Sequence, residues 1–294
     1  MPAPRFATVV ELLKPITWFP PMWAFGCGVV SSGLPDGSRW TGIATGILLA
    51  GPMVCGTSQA VNDWFDRHVD AINEPSRPIP SGRMPGRWGF YIAITWTVLS
   101  VIVATALGAW GFAAAIVGLA LAWAYSAPPL RLKRNGWLGN AAVGLCYEGL
   151  PWFTGAAVMT AALPTWRIIL LALLYSVGAH GIMTLNDFKS VEGDIRTGIG
   201  SLPVRLGITN AARLACAVMV VPQVVVIGLL FVWGNRIHAG VVALLLIAQI
   251  ELMARLLHSP RERAAWYSAT GVTLYVLGMM VSAFALIRWG AAGP

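Results

Sequence analysis

Charge is scarce in these 294 residues. Asp, Glu, Lys and Arg together make up only 11% of the chain, and the acids number 12. Soluble domains carry about 25% charged residues, so a soluble globular enzyme is excluded at the outset. No polar stretch is long enough to form a separate domain; the longest cover 62–88 and 186–213. Cysteine is limited to Cys27, Cys55, Cys146 and Cys216, each inside an apolar run and none at metal-ligand spacing, which reads as small buried side chains. Residues 1–16 lack the pattern of a cleaved signal peptide, and Pro20 and Pro21 interrupt the apolar run that follows.

Apolar residues are what the chain has in abundance, 57% of it. They fall into runs near 16–32, 42–61, 89–107, 109–125, 138–161, 168–185, 214–233, 237–257 and 264–287. A bilayer crossing takes ~20 apolar residues. In hydrocarbon every backbone polar group must find a partner within the segment, so such runs must be helices. The expected fold is an all-α polytopic bundle of nine transmembrane helices. Threaded with its N-terminus in the cytoplasm and its C-terminus in the periplasm, the chain places 16 of its 20 Lys and Arg residues inside. Only Arg39, Arg167, Arg236 and Arg288 fall outside, which is the asymmetry that sets orientation in membranes. The net charge of +8 therefore reads as topology, and a nucleic-acid partner is not expected.

The scarce acids are concentrated. Seven of the 12 lie in the two polar stretches, both on the inside face. Each stretch begins as an apolar helix ends and opens with similar letters: Asn62-Asp63-Trp64-Phe65 and Asn186-Asp187-Phe188-Lys189. Each closes on a Gly/Pro/Arg tail, Arg77-Pro78-Ile79-Pro80-Ser81-Gly82 and Gly200-Ser201-Leu202-Pro203-Val204-Arg205. The two follow spans two and six, so both helices point the same way, and a weak internal repeat emerges. Asn62, Asp66 and Asp70 are spaced by four and share one helix face, with Asp63 and Glu74 beside them; Asp187 and Asp194 lie two helical turns apart.

Mg²⁺ prefers carboxylate and phosphate oxygens and keeps several waters. Two facing acidic clusters suit Mg²⁺ ions that bridge to a diphosphate. Asp63, Asp66, Asp70, Asp187, Glu192 and Asp194 are the candidate metal ligands. Arg77 and Lys189, with Arg131, Lys133 and Arg134 in the loop after Tyr125-Ser126-Ala127-Pro128-Pro129, suit the remaining phosphate oxygens, and Asn62 joins them as a diphosphate contact. Asp66, Asp187, Arg77 and Lys189 form the expected catalytic set.

The pattern Asn62-x-x-x-Asp66-x-x-x-Asp70 followed by Arg77-Pro78-Ile79 resembles the first signature of the UbiA-type intramembrane prenyltransferases, and Asp187 to Asp194 followed by Gly200-Ser201-Leu202-Pro203-Val204 resembles the second. The resemblance is closer still to the chlorophyll and bacteriochlorophyll synthases. It rests on Asn62-Asp63-Trp64-Phe65-Asp66-Arg67, Asp70-Ala71-Ile72-Asn73-Glu74-Pro75, Tyr147-Glu148-Gly149-Leu150-Pro151-Trp152 and the run from Asn186 to Asp194. Ser190 departs from the wider pattern, where a middle Asp is common, and Glu192 is the candidate substitute. The absence of the long N-terminal extension expected of the oxygenic enzymes favours the bacteriochlorophyll type.

The resemblance implies one membrane-embedded domain. It would esterify the propionate of a chlorophyllide-like tetrapyrrole with a geranylgeranyl or phytyl diphosphate, with Mg²⁺ as cofactor. The bilayer and other pigment-synthesis enzymes are the implied partners of assembly, and the bacterial inner membrane the implied location. A propionate is already ionised at pH 7, so no general base is expected. The substrate pocket is expected to include Trp64, Phe65, Tyr125, Glu148 and Trp152. Trp64, Phe65, Trp152 and Phe153 suit a developing allylic cation, and Glu148 is an acid well inside span five, where burial is costly. His68 and His180 are candidate ligands of the pigment's central metal, although a lone His is more often structural. A quinone-precursor or haem prenyltransferase differs only in acceptor. A transporter would be expected to carry acids along its helices, whereas here only Glu148 and Glu251 lie within spans.

Overall fold

The computed structural model describes residues 3–33 and 38–287. Arg288 and the C-terminal residues beyond it, expected on the outer face, lie outside the described residues. Among the described residues the chain is helical, with one isolated β-bridge between Asn135 and Gly200. In order the helices are α1 (Phe6–Leu13), α2 (Phe19–Ser31), α3 (Trp40–Leu48), α4 (Gly56–Asn73), α5 (Trp88–Ala104), α6 (Gly108–Ser126), α7 (Gly136–Gly144), α8 (Leu150–Thr160), α9 (Trp166–Asn186), α10 (Val191–Thr197), α11 (Leu202–Leu206), α12 (Ile208–Val232), α13 (Arg236–His258) and α14 (Pro260–Ala285).

Among the described residues six helical runs are long and apolar enough to cross a membrane: Trp40–Ile72, Trp88–Ser126, Trp166–Lys189, Ile208–Val232, Arg236–His258 and Pro260–Ala285. The second of these holds two helices, α5 and α6, which pack on each other after a turn at Gly108. Gly108 has φ 72°, a conformation in which a side chain is strained. The first expected span, 16–32, becomes a shorter helix. Lys14 is left-handed (φ 48°), Pro15 opens a 3-10 turn, and α2 starts only at Phe19 and runs for 13 residues.

The outward faces are apolar, as lipid requires: Val232 is 80% exposed and Leu244 69%. Inside, small residues let backbones meet, since lipid gives helices no hydrophobic drive to associate and close packing must supply it. A Cβ on Gly28 would lie 2.0 Å from the Trp152 carbonyl oxygen, and one on Gly155 would lie 2.1 Å from that of Phe25, so α2 and α8 touch backbone to backbone.

Two π-helical segments interrupt this packing. Leu49–Cys55 joins α3 to α4, and Leu145–Gly149 joins α7 to α8. Pro52 lies inside the first and Pro151 just beyond the second; each lacks an N–H and frees a carbonyl one turn earlier. Between them, α6 and α8 border a small apolar slot of about 40 Å³ lined by residues such as Ala50, Val54, Gly118 and Cys146.

Candidate active site

The C-terminal end of α4 continues as helix through both Asp66 and Asp70, so the spacing of four does place them on one face. Asn62 Nδ2 donates to Asp66 Oδ2 (2.9 Å) and to Ser126 Oγ (3.2 Å). Each acid of this face is met by a cation. Arg77 Nη1 reaches Asp70 Oδ2 at 2.8 Å and Asp63 Oδ1 at 3.4 Å, while its Nε and Nη2 hold Glu74 at 2.7 and 2.8 Å. Arg131 Nη2 lies 3.3 Å from Asp66 Oδ1, and Lys133 pairs with the same oxygen. Burial pushes the Lys133 ammonium below its ordinary pKa, against the pull of Asp66. Burial alone would raise the Glu74 carboxyl, but the Arg77 fork and the nearby charges of Arg77, Lys189 and Lys14 bring it below its ordinary value.

The second acidic stretch folds as a 3-10 turn at Asp187–Lys189 and then α10. Asp187 Oδ2 accepts from Asn140 Nδ2 (3.3 Å). Asp194 is buried and accepts from Ser201 Oγ (2.7 Å) and Ser190 Oγ (3.2 Å). Burial raises the Asp194 carboxyl above its usual range; the two serine bonds and Lys133 oppose this, while Asp66 adds to it. Ser190, the departure from the wider pattern, thus supports Asp194 instead of adding a carboxylate.

The two stretches converge. α10 packs on α4, and Tyr125 at the end of α6 lies within electrostatic reach of Asp66, Asp187 and Asp194 together. Lys189 is exposed between the stretches, close enough to act on both Glu74 and Asp187. Backbone bonds stitch the basic loop to the second stretch: Gly136 N–H donates to Gly200 O and Gly200 N–H to Arg134 O, each at 3.0 Å.

Other expected site residues are not brought into this cluster. Glu192 is exposed and pairs with Arg261 at the start of α14. Trp152 is fully buried, stacked on Tyr175 at 5.7 Å and donating from Nε1 to Ser31 Oγ at 3.1 Å. Glu148 is buried in the second π segment, with Cys27 and Tyr275 in electrostatic reach, and its Oε2 has no hydrogen-bond partner among the described residues. Trp64 lies under Arg67 at 4.3 Å and beside Phe90 at 5.5 Å; Phe65 meets Trp123 edge-on at 6.2 Å. His68 is exposed, and His180 is buried beside Trp137.

Sequence reasoning missed Lys14 and Asn140. Lys14 Nζ donates to Asp63 Oδ1 at 2.6 Å, from the end of α1. The available signal was a lone Lys-Pro pair just ahead of the first apolar run. Asn140 carried none, being one polar residue in an apolar span.

Among the described residues no three carboxyl, imidazole or thiol groups already converge as a metal site. The donors gathered are nevertheless carboxylate and amide oxygens, the chemistry Mg²⁺ prefers. Asp63 Oδ2 is buried with no hydrogen-bond partner among the described residues, a vacancy in bonding that a cation suits.

Comparison with known proteins shows the family. The model of the UbiA prenyltransferase family matches residues 17–277. The chain is 59% identical over 286 residues to the bacteriochlorophyll synthase 33 kDa chain of Cereibacter sphaeroides, covering 97% of this chain and 94% of that one. It is 54% identical over 289 residues to the protein of the same name from Rhodobacter capsulatus, again covering 97% and 94%. Among solved structures, a UbiA homologue from Archaeoglobus fulgidus bound to GPP and Mg²⁺ superposes with a TM-score of 0.72 at 20% identity, covering 96% of this chain and 99% of the other. The chain belongs to the UbiA prenyltransferase family.

Proposed function

We propose that this membrane prenyltransferase esterifies the propionate of a bacteriochlorophyllide with a C20 prenyl diphosphate, geranylgeranyl or phytyl, and releases diphosphate. The observation that carries the reading is the meeting of two acid-bearing helix ends, one from α4 and one from α9–α10, with Arg77, Arg131, Lys133 and Lys189 around them. The acceptor comes from the relatives, named as bacteriochlorophyll synthases at more than half identity over nearly the whole chain.

Asp66, Asp70, Asp187 and Asp194, with Asn62 and Asp63, are the groups that would hold Mg²⁺. When bound, Mg²⁺ supplies positive charge to the diphosphate as its bond to the allylic carbon weakens. Arg77, Arg131, Lys133 and Lys189 bind the other phosphate oxygens; the first three are preorganised by the acids they already pair with, and Lys189 stands exposed in electrostatic reach of Glu74 and Asp187. Glu192, paired elsewhere, is the weakest of the expected ligands. Tyr125, in electrostatic reach of Asp66, Asp187 and Asp194, would line the substrate pocket, with Trp64 and Phe65 on the same end of α4. The apolar interior of the bundle would keep water from the allylic centre. The propionate attacks as the anion it already is, so no side chain needs to take its proton.

The chain acts as one intramembrane unit with nine crossings, N-terminus cytoplasmic and C-terminus periplasmic. It works at the cytoplasmic face of a bacterial inner membrane, where assembly with other pigment-synthesis enzymes would deliver its acceptor. The deciding experiment gives purified protein in nanodiscs Mg²⁺, bacteriochlorophyllide, chlorophyllide, haem or 4-hydroxybenzoate, and a mixture of prenyl diphosphates, with products read by mass spectrometry. A prenyl bacteriochlorophyllide ester is expected. A prenylated haem or benzoate and no tetrapyrrole ester would overturn the acceptor assignment.

A further inference from the structure

Asp63, Asp66 and Asp70 are held by cations, but Asp187 is held by an amide. Asp187 follows the last turn of α9, where the helix's own carbonyls repel a carboxylate. Without a donor its side chain would be driven toward solvent. The donor comes from α7: Asn140 Nδ2 lies 3.3 Å from Asp187 Oδ2 and 3.2 Å from Thr184 Oγ1.

Proton bookkeeping fixes the orientation of that amide. Thr184 Oγ1 gives its only proton to the His180 carbonyl oxygen, at 3.0 Å. Toward Asn140 it can only accept, so the amide must present its NH₂ side to α9. One N–H then serves Thr184 and the other is aimed at Asp187. Asn140 is 3% exposed, so water does not compete for these bonds. The reach is short because α7 sits tight on α9: a Cβ on Gly144 would lie 2.5 Å from the Ser176 carbonyl oxygen.

We propose that Asn140 is a positioning residue for Asp187. It commits Oδ2 and fixes the carboxyl plane, leaving Oδ1 as the atom to meet Mg²⁺. The inference rests on the reading of Asp187 as a metal-facing acid given above, and it assigns a role to a residue outside both acidic stretches.

Asn140→Leu removes the donor while keeping the branched shape and the number of side-chain heavy atoms. The probe is Mn²⁺, in place of Mg²⁺, with inorganic pyrophosphate, and the first readout is free Mn²⁺ by electron paramagnetic resonance on purified protein. Losing such an outer partner typically costs roughly 10–100-fold in metal affinity or activity. Mn²⁺ affinity and kcat are expected to fall by that order while KM for the tetrapyrrole stays unchanged. Should Asn140→Leu fail to fold, Asn140→Ala removes the donor without adding volume, with the same expectation. Thr184→Val, which frees the amide's anchor, should show a smaller loss of Mn²⁺ affinity. Wild-type Mn²⁺ affinity in the folded Asn140 variant, with Asp187→Asn having lost it, overturns the positioning role and leaves the function standing. Wild-type affinity and turnover in Asp187→Asn overturns both.

Discussion

Lys14 Nζ sits 2.6 Å from Asp63 Oδ1, joining the end of a short N-terminal helix to the core of the acidic face 49 residues later. Lys14 reaches it because its backbone is left-handed (φ 48°) and turns the chain between α1 and α2. Leu12 and Leu13 bury α1 against α4, and Arg83 holds Glu11 on its other side. Asp63 is 1% exposed, so removing Lys14 leaves a buried charge with Arg77 alone, at 3.4 Å. Leaving a buried polar group underpartnered costs about 1–3 kcal/mol. Lys14→Met should therefore lower the thermal midpoint of the detergent-solubilised protein. The pair Lys14→Met with Asp63→Leu should recover part of that loss; no recovery would mean that the cost does not come from the stranded carboxylate.

Asp66→Asn and Asp187→Asn should each reduce ester formation by roughly 10²–10³, the scale of losing one preorganised electrostatic element. Both proteins should still insert and elute as a single species in size exclusion. Near-normal product yield from both would count against the acids as the seat of the chemistry.

Chelation should stop turnover. Protein stripped with EDTA is expected to be inactive and to regain activity with Mg²⁺, since the oxygen-only donor set favours that ion. Unchanged rates in EDTA would remove the metal from the reaction.

Gly136 lies where α7 begins, and a Cβ there would come within 2.6 Å of the Leu202 backbone nitrogen and 3.0 Å of the Ser201 carbonyl carbon. Ser201 is the residue that holds Asp194. Gly136→Ala should thus lower kcat as well as thermal stability, because the displaced backbone carries both the fully buried Leu202 and the serine that holds Asp194. A loss of stability with unchanged turnover would contradict this.

Single cysteines test the nine crossings. Arg39→Cys and Arg236→Cys should react with an impermeant maleimide added to intact cells, and Arg87→Cys and Arg196→Cys only after permeabilisation. Any other alternation would break the proposed threading.

Much of this was legible in the letters. The helix ends carrying Asn62, Asp66 and Asp70, and then Asp187 and Asp194, follow from local rules: apolar runs stop where acids start, and a spacing of four makes a face. Their cations were legible too, because Arg77 and Lys133 sit in the only polar loops nearby. What failed to read through was aim. A π turn adds a residue and rotates everything beyond it by about 100°. Glu148 and Trp152, expected in the pocket, lie within and beyond such a turn and face α2, α9 and α14 instead. Glu192 sat in the right stretch, yet α10 turns it toward Arg261, a partner 69 residues away that no local pattern announces. Lys14 and Asn140 were hidden for the same reason: their importance lies in contacts spanning 49 and 47 residues.

The stitch between Arg134 and Gly200 has a quieter effect. It is made of main-chain atoms, so substitutions elsewhere on either loop leave its donors and acceptors in place, whereas proline at residue 136 or 200 would remove a donor. The main-chain segments that carry Lys133 and Asp194 are thereby tied to one another. Sequence drift can retune the charges on either loop without altering the gauge at which they are set.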